Sequence, residues 1–107
     1  IIKGYIIGPN VDLKDADLSG ADLSSAVLTG VTSGEVDSND KTRLPGQYKI
    51  INGYIIGPDV DLKDADLIGA DLSSANLTGV TSGGVKSNDK TKLPENYQII
   101  KGYIIGP

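Results

Sequence analysis

Aliphatic residues recur along this chain at every fifth position. From Ile1 the series runs through Ile6, Val11, Ala16, Ala21, Ala26, Val31 and Val36, then fails at Lys41. It resumes at Ile50 and continues through Ile55, Val60, Ala65, Ala70, Ala75, Val80 and Val85, and after a second break Ile99 and Ile104 complete it. Five matches neither the helical period of 3.6 nor the strand period of two. The chain therefore needs a local geometry that itself repeats every five residues. The clearest stretch, Ala16 to Gly30, divides into ADLSG, ADLSS and AVLTG, and it returns at Ala65 to Gly79 as ADLIG, ADLSS and ANLTG.

A longer period encloses the short one. IIKGYIIGP at 1–9, IINGYIIGP at 50–58 and IIKGYIIGP at 99–107 set a repeat of 49 residues. The chain divides into units 1–49 and 50–98 and a partial third unit 99–107, expected to form one continuous segment over 1–107. Each unit reads as eight pentads and a nine-residue insertion, KTRLPGQYK at 41–49 and KTKLPENYQ at 90–98. The third copy stops after the nine-residue motif that opens the chain, and the first residue is Ile rather than Met. The expectation is a segment of a longer array.

The pentads VDLKD, ADLSG, ADLSS and AVLTG, with VDLKD, ADLIG, ADLSS and ANLTG in the second unit, follow A-(D/N)-L-x-x. In this the chain resembles the pentapeptide-repeat family, strictly over about half its length and loosely over most of it. The resemblance implies an all-β fold, a right-handed quadrilateral β-helix in which four pentads close one coil. That gives a solenoid of four to five coils with a nine-residue loop every second coil.

Elementary geometry agrees with such a coil. The Ala and the Leu two places later face inward, the Asp between them faces out, and Ser-Gly or Thr-Gly turns the corner with Gly at positive φ. Stacked coils pair their backbones at about 4.8 Å, which satisfies groups a lone turn leaves unpaired. Alternate coils exchange volume: one pairs small Ala with large Leu, the other pairs large Val or Ile with small Ser33, Ser38, Asn52 and Gly57. The two units differ at ten positions, none of them a clearly inward Ala, Leu, Val or Ile. Ile51, Tyr54 and Ile56 fall outward and leave an apolar strip. The insertion is expected to fold back over it with Leu44 and Tyr48 inward, and the second insertion likewise with Leu93 and Tyr97.

Composition narrows the chemistry. There is no Phe, Trp, Met, Cys or His, while Gly numbers 14 and Tyr five. The apolar mass is thus Ile, Leu, Val and Ala, which suits a narrow layered core better than a globule filled by aromatics. A net charge of −4 is a poor match to nucleic acid or anionic lipid, and no apolar run reaches membrane length. Without His or Cys, and with no base beside any Ser or Thr, a catalytic site is not expected and none is assigned; the chain reads as a non-enzyme.

Three other possibilities are weighed on residues. Asp12, Asp15, Asp17 and Asp22 cluster, and Asp15, Asp17 and Ser19 imitate the start of a calcium loop. The twelfth position is Ala26 where Glu is required, and the copy at Asp64, Asp66 and Ile68 fits less well. No metal site or cofactor is assigned; weak Ca²⁺ binding at acidic corners is the most the pattern allows. Asp12 and Asp61 on one face, Asp17, Asp37 and Asp66 on the next, and Asp15, Glu35 and Asp64 at the corner between form outward acidic ladders offset by Lys14, Lys63 and Lys86. Some proteins of the resembled family mimic DNA toward a topoisomerase, so a protein-binding module acting through acidic faces is the alternative function. Asn76-Leu77-Thr78 is formally a glycosylation sequon but reads more simply as the pentad ANLTG.

The leading expectation is a structural repeat module of a longer bacterial surface, secreted or fibre-forming protein, extracellular or on the cell surface, acting as a rigid stalk, spacer or filament. Its partners are neighbouring repeats of the same chain or end-to-end copies of itself, with a protein partner as the alternative; neither nucleic acid nor membrane is expected.

Overall fold

The computed structural model describes residues 1–107 and measures 37 × 22 × 21 Å. The chain is all-β, with no helix, and its only regular strands are short: β1 (Lys49–Ile51), β2 (Tyr54–Ile56), β3 (Gln98–Ile100) and β4 (Tyr103–Ile105). Most of the molecule is instead joined by single parallel bridges between successive passes of the chain. On one side Asp12 bridges Thr32, Thr32 bridges Asp61 and Asp61 bridges Thr81. Asp17 bridges Asp37 and Asp22 bridges Arg43; in the second unit Asp66 bridges Lys86 and Asp71 bridges Lys92. Hydrogen bonds alternate across each bridge, as in Leu13 N–H to Thr32 O at 2.7 Å and Thr32 N–H to Val11 O at 3.0 Å. Backbone groups that one pass cannot satisfy are satisfied by the next.

The pentad sequence produces this path through its corners. The N–H of each aliphatic opener donates to the carbonyl of the preceding Leu: Ala16 to Leu13 at 3.1 Å, Ala21 to Leu18 at 2.9 Å and Ala26 to Leu23 at 2.9 Å. These are four-residue turns, and Gly20 takes its third position at φ 73°, where a side chain is disfavoured. Every corner re-aims the chain so that the next Ala–Leu pair again faces the axis. Leu13, Leu18, Leu23 and Leu28 are buried with Ala16 and Ala21, as are Leu62, Leu67, Leu72 and Leu77 with Ala65 and Ala70. The volume exchange is seen at Val31 and Ser33, both buried.

Three expectations are corrected. First, the pentad step does not continue through residues 50–58. Lys49–Ile56 is an antiparallel hairpin with Ile50 opposite Ile55 and Ile51 opposite Tyr54. Asn52 and Gly53 both lie at positive φ, 53° and 80°, which is the two-residue turn that matches strand twist. Gln98–Ile105 repeats the hairpin and Ile2 to Tyr5 forms a one-bridge version of it. Asn52 is therefore an exposed turn residue rather than an inward one. Ile6, counted as inward, is 71% exposed, because no pass of the chain lies against that side of the first hairpin.

Second, the excursion is not the nine-residue segment 41–49. Arg43 N–H donates to Ala21 O at 2.8 Å and Leu23 N–H to Arg43 O at 2.7 Å, so Thr42–Leu44 is a stacked pass of the coil displaced by one residue. The Thr42 hydroxyl anchors it on Leu18 O at 2.8 Å. The extra residue is absorbed around Ser38, which is exposed rather than inward. What leaves the coil is the hairpin 49–56, and likewise 98–105. Third, Ile56 is not outward but 1% exposed. As expected, Leu44 and Tyr48 pack against the core, with the Tyr48 ring lying where a Cβ on Gly57 would sit. Leu93 and Tyr97 do the same beside Gly106.

Candidate functional site

The outward face of the coil is built on the second position of each pentad. Its Asp or Asn carboxyl or amide oxygen accepts the backbone N–H two residues on: Asp12 from Lys14 at 2.9 Å, Asp17 from Ser19 at 3.0 Å, Asp22 from Ser24 at 3.0 Å. Asp61, Asp66, Asp71 and Asn76 repeat it with Lys63, Ile68, Ser73 and Thr78. Asp and Asn have the reach to close this local turn, and Glu carries its oxygen one bond too far. At Asp22 and Asp71 the hydroxyl of Ser24 or Ser73 adds a second bond at 2.6 Å. These hydroxyl bonds, then the backbone ones, hold the Asp22 and Asp71 carboxyls below the ordinary value of 3.8; for Asp17 the Ser19 backbone N–H is the main cause. These outward carboxylates are therefore corner braces. The signal was present in the sequence, since each Asp or Asn precedes a turn by two residues.

The bridges also fix which charges stack. Asp12 and Asp61 do not adjoin, because Thr32 lies between them; Asp66 bridges Lys86, Asp71 bridges Lys92 and Asp22 bridges Arg43. Of the expected acidic ladders, only Asp17 and Asp37 are acidic residues paired across a backbone bridge. Asp15, Glu35 and Asp64 do share a corner, where with Lys14, Lys63, Ser33, Gly34 and Tyr54 they line an open groove of about 360 Å³. A second groove of about 370 Å³ lies on the other side of Tyr54, lined by Glu35, Asn52, Asp66 and Ile68. No three acidic side chains gather so as to hold a metal ion, at Asp12, Asp15, Asp17 and Asp22 or elsewhere. Asn76 spends its amide on Gln47 Oε1 at 3.1 Å.

Between these grooves lies the most elaborate constellation of the molecule, the seat of the hairpin. On its lower side Gly53 O accepts Val36 N–H at 3.0 Å, and Ile55 N–H donates to the buried Ser33 hydroxyl at 2.8 Å. On its upper side the Tyr54 hydroxyl accepts Asp66 N–H at 2.9 Å and Asn52 Nδ2 donates to Ile68 O at 3.3 Å. Tyr48 closes the exit by donating to Pro58 O at 2.6 Å, and its burial, with Asp59 nearby, raises its hydroxyl pKa above the ordinary 10.0. The hairpin is thus a two-sided adaptor between one unit and the next. Neither the adaptor role nor the tyrosine hydroxyls was read from the sequence, although Asn-Gly between Ile50-Ile51 and Tyr54-Ile55 is a hairpin signal.

The family described as pentapeptide repeats (8 copies) matches residues 10–32 and 58–81. Both stretches are the coil passes, and both stop short of the hairpins. No curated protein and no solved structure gives a significant match. Repeats of this kind make structural or protein-interaction modules. Residues 10–32 and 58–81 are thus pentapeptide repeats, as their sequence pattern implies.

Proposed function

We propose that the chain is a length of right-handed, four-sided β-helix serving as a structural spacer within a longer secreted or surface protein of a bacterium. The observation that carries this is the unbroken ladder Asp12–Thr32–Asp61–Thr81, in which the second unit continues the first across the unit boundary. In such an arrangement each unit covers its neighbour's open end, and stiffness and stability grow with the number of units. The Asp and Asn side chains at the second positions of the pentads are occupied in bracing corners, which favours a scaffold over a ligand-binding or catalytic role. The mixing of Lys and Arg into the acidic stacks favours a spacer over a uniform acidic surface.

The test is to compare the 107-residue chain with chains lengthened by one and two further 49-residue units. The expected outcome is a fixed gain in length per unit by small-angle scattering and a melting temperature that climbs with each unit. Unit addition that leaves the melting temperature unchanged, with scattering of beads on a flexible string, contradicts the proposal.

A further inference from the structure

Of the six asparagines in this chain, only Asn52 is followed by glycine. The backbone nitrogen after an asparagine can attack the side-chain amide carbon and close a five-membered imide. A side chain on the attacking residue crowds that approach, and Gly53 has none. Hydrogen bonding sharpens the contrast. The side-chain oxygen of Asn39 accepts Gly20 N–H at 2.9 Å and Lys41 N–H at 3.0 Å, that of Asn88 accepts Lys90 N–H at 3.0 Å, and that of Asn76 accepts Thr78 N–H at 3.0 Å. These amides are fixed in their turns. Asn52 is exposed at the hairpin tip, and its amide makes one bond, from Nδ2 to Ile68 O at 3.3 Å. Gly53 is held by its carbonyl, which accepts Val36 N–H at 3.0 Å, while its own N–H makes no backbone hydrogen bond. The attacking nitrogen is thus free beside a loosely tied amide.

We propose that Asn52 is a self-modifying site whose conversion to the acid loosens the seat of the hairpin. Gly53 N gives up its proton to water and bonds to Asn52 Cγ, the Cγ–Nδ2 bond breaks, and Nδ2 leaves as ammonia. Water then opens the imide at either carbonyl, giving an aspartate at position 52 or its β-linked isomer. The sum is amide plus water to carboxylate plus ammonium, with no oxidant or reductant. The product does not suit its place. Position 52 is a donor position: Asn52 donates to Ile68 O, and at the corresponding place Lys3 Nζ donates to Ser19 O at 2.6 Å. A carboxylate there has nothing to donate, meets a carbonyl oxygen, and shares a groove with Glu35 and Asp66. The β-linked isomer also adds a main-chain carbon to a turn built for two residues. Conversion therefore weakens the upper side of the adaptor one way, with age. The inference goes beyond the spacer reading and does not depend on it.

The experiment incubates the folded 107-residue chain and the same chain in urea side by side at mildly alkaline pH, and follows each asparagine by peptide mass spectrometry. Asn52 is expected to convert first in the folded chain, at a rate within about tenfold of its rate in urea, the scale of one hydrogen bond to be broken. Greater protection than that, or conversion of another asparagine ahead of Asn52, overturns the inference. Thermal melts of Asn52→Asp and Asn52→Lys read the consequence. Lys3 takes the same φ of 53° as Asn52, so Asn52→Lys keeps both the turn and a donor and is expected to melt as the unsubstituted chain does. Asn52→Asp is expected to lower the melting temperature by about 4–8 °C, the shift that one lost hydrogen bond gives a domain of this size. An Asn52→Asp chain that melts with the unsubstituted one overturns the loosening of the seat. None of these outcomes bears on the growth of stability with added units, which tests the spacer reading separately.

Discussion

The pentad passes and the hairpins use the same spacing of aliphatic residues to opposite ends. In ADLSG the residues after the inward Leu make a corner, and the chain moves on to the next pass in a parallel stack. In IINGYII the same five-residue interval separates Ile50 from Ile55, yet these two face each other across an antiparallel turn. The core receives both outcomes alike, since Leu23 and Ile55 are equally buried. The difference lies in two residues: Asn52 and Gly53 both take positive φ, whereas the corner at Leu18–Ala21 has only Gly20 there. Hydrophobic spacing says which residues meet the core, and the turn residues say by which route.

Charge insertion makes the first and largest test. Leu23→Asp in the coil and Ile55→Asp in the hairpin each bury an unpaired carboxylate and are expected to cost on the order of 4 kcal/mol or more, abolishing the cooperative melt. A mild effect of Ile55→Asp alone would mean that the hairpin can detach while the passes stay folded. Next is Gly53→Val. At φ 80°, with an added Cβ 3.0 Å from Glu35 N, it is expected to cost about 1–3 kcal/mol in urea unfolding, while Gly46→Ala, facing open space, is expected to be nearly neutral. Tyr48→Phe, which loses only the bond to Pro58, is expected to cost about 1 kcal/mol.

The smallest effect is a pH dependence confined to the passes. The carboxyls of Asp17, Asp22 and Asp71 sit below 3.8 when folded, so their contribution is complete above 3.8 and is lost as pH falls through the lower folded values. The melting temperature is expected to hold steady from neutral pH down to about that value and then decline. Asp22→Asn with Asp71→Asn, which keeps the turn acceptor and removes the titration, is expected to shrink the decline. Tyr48 has the opposite sign: its raised value makes stability fall only as pH climbs above 10.0, so the hairpin exit is the part sensitive to alkali.

The inward positions of the passes could be read from the sequence because a strict period leaves no freedom: Ala21, Leu23 and Leu72 are all buried. The route between units could not be read from that period. Ile50 and Ile55 satisfy it by coincidence of a two-residue turn, and Thr42–Leu44 breaks it by a single residue while staying in the stack. The insertion's apolar residues, Leu44 and Tyr48, did betray that it packs against the body. The bracing role of Asp12, Asp17 and Asp22 was legible only in their place two residues ahead of each corner, because the carboxylate alone looks the same on paper whether it meets water or a neighbouring N–H.

The seating of the hairpin has a consequence for shape. Along Asp12, Thr32, Asp61 and Thr81 every pass touches the next, but between Asp37 and Asp66 the tip formed by Asn52, Gly53 and Tyr54 intervenes. One flank is therefore tied at each level and the other is spread once in every 49 residues. Objects stacked with a shim always on the same flank lean away from it, so a long run of units stacked in the proposed way is expected to trace a regular arc whose radius is set by how often the shim recurs.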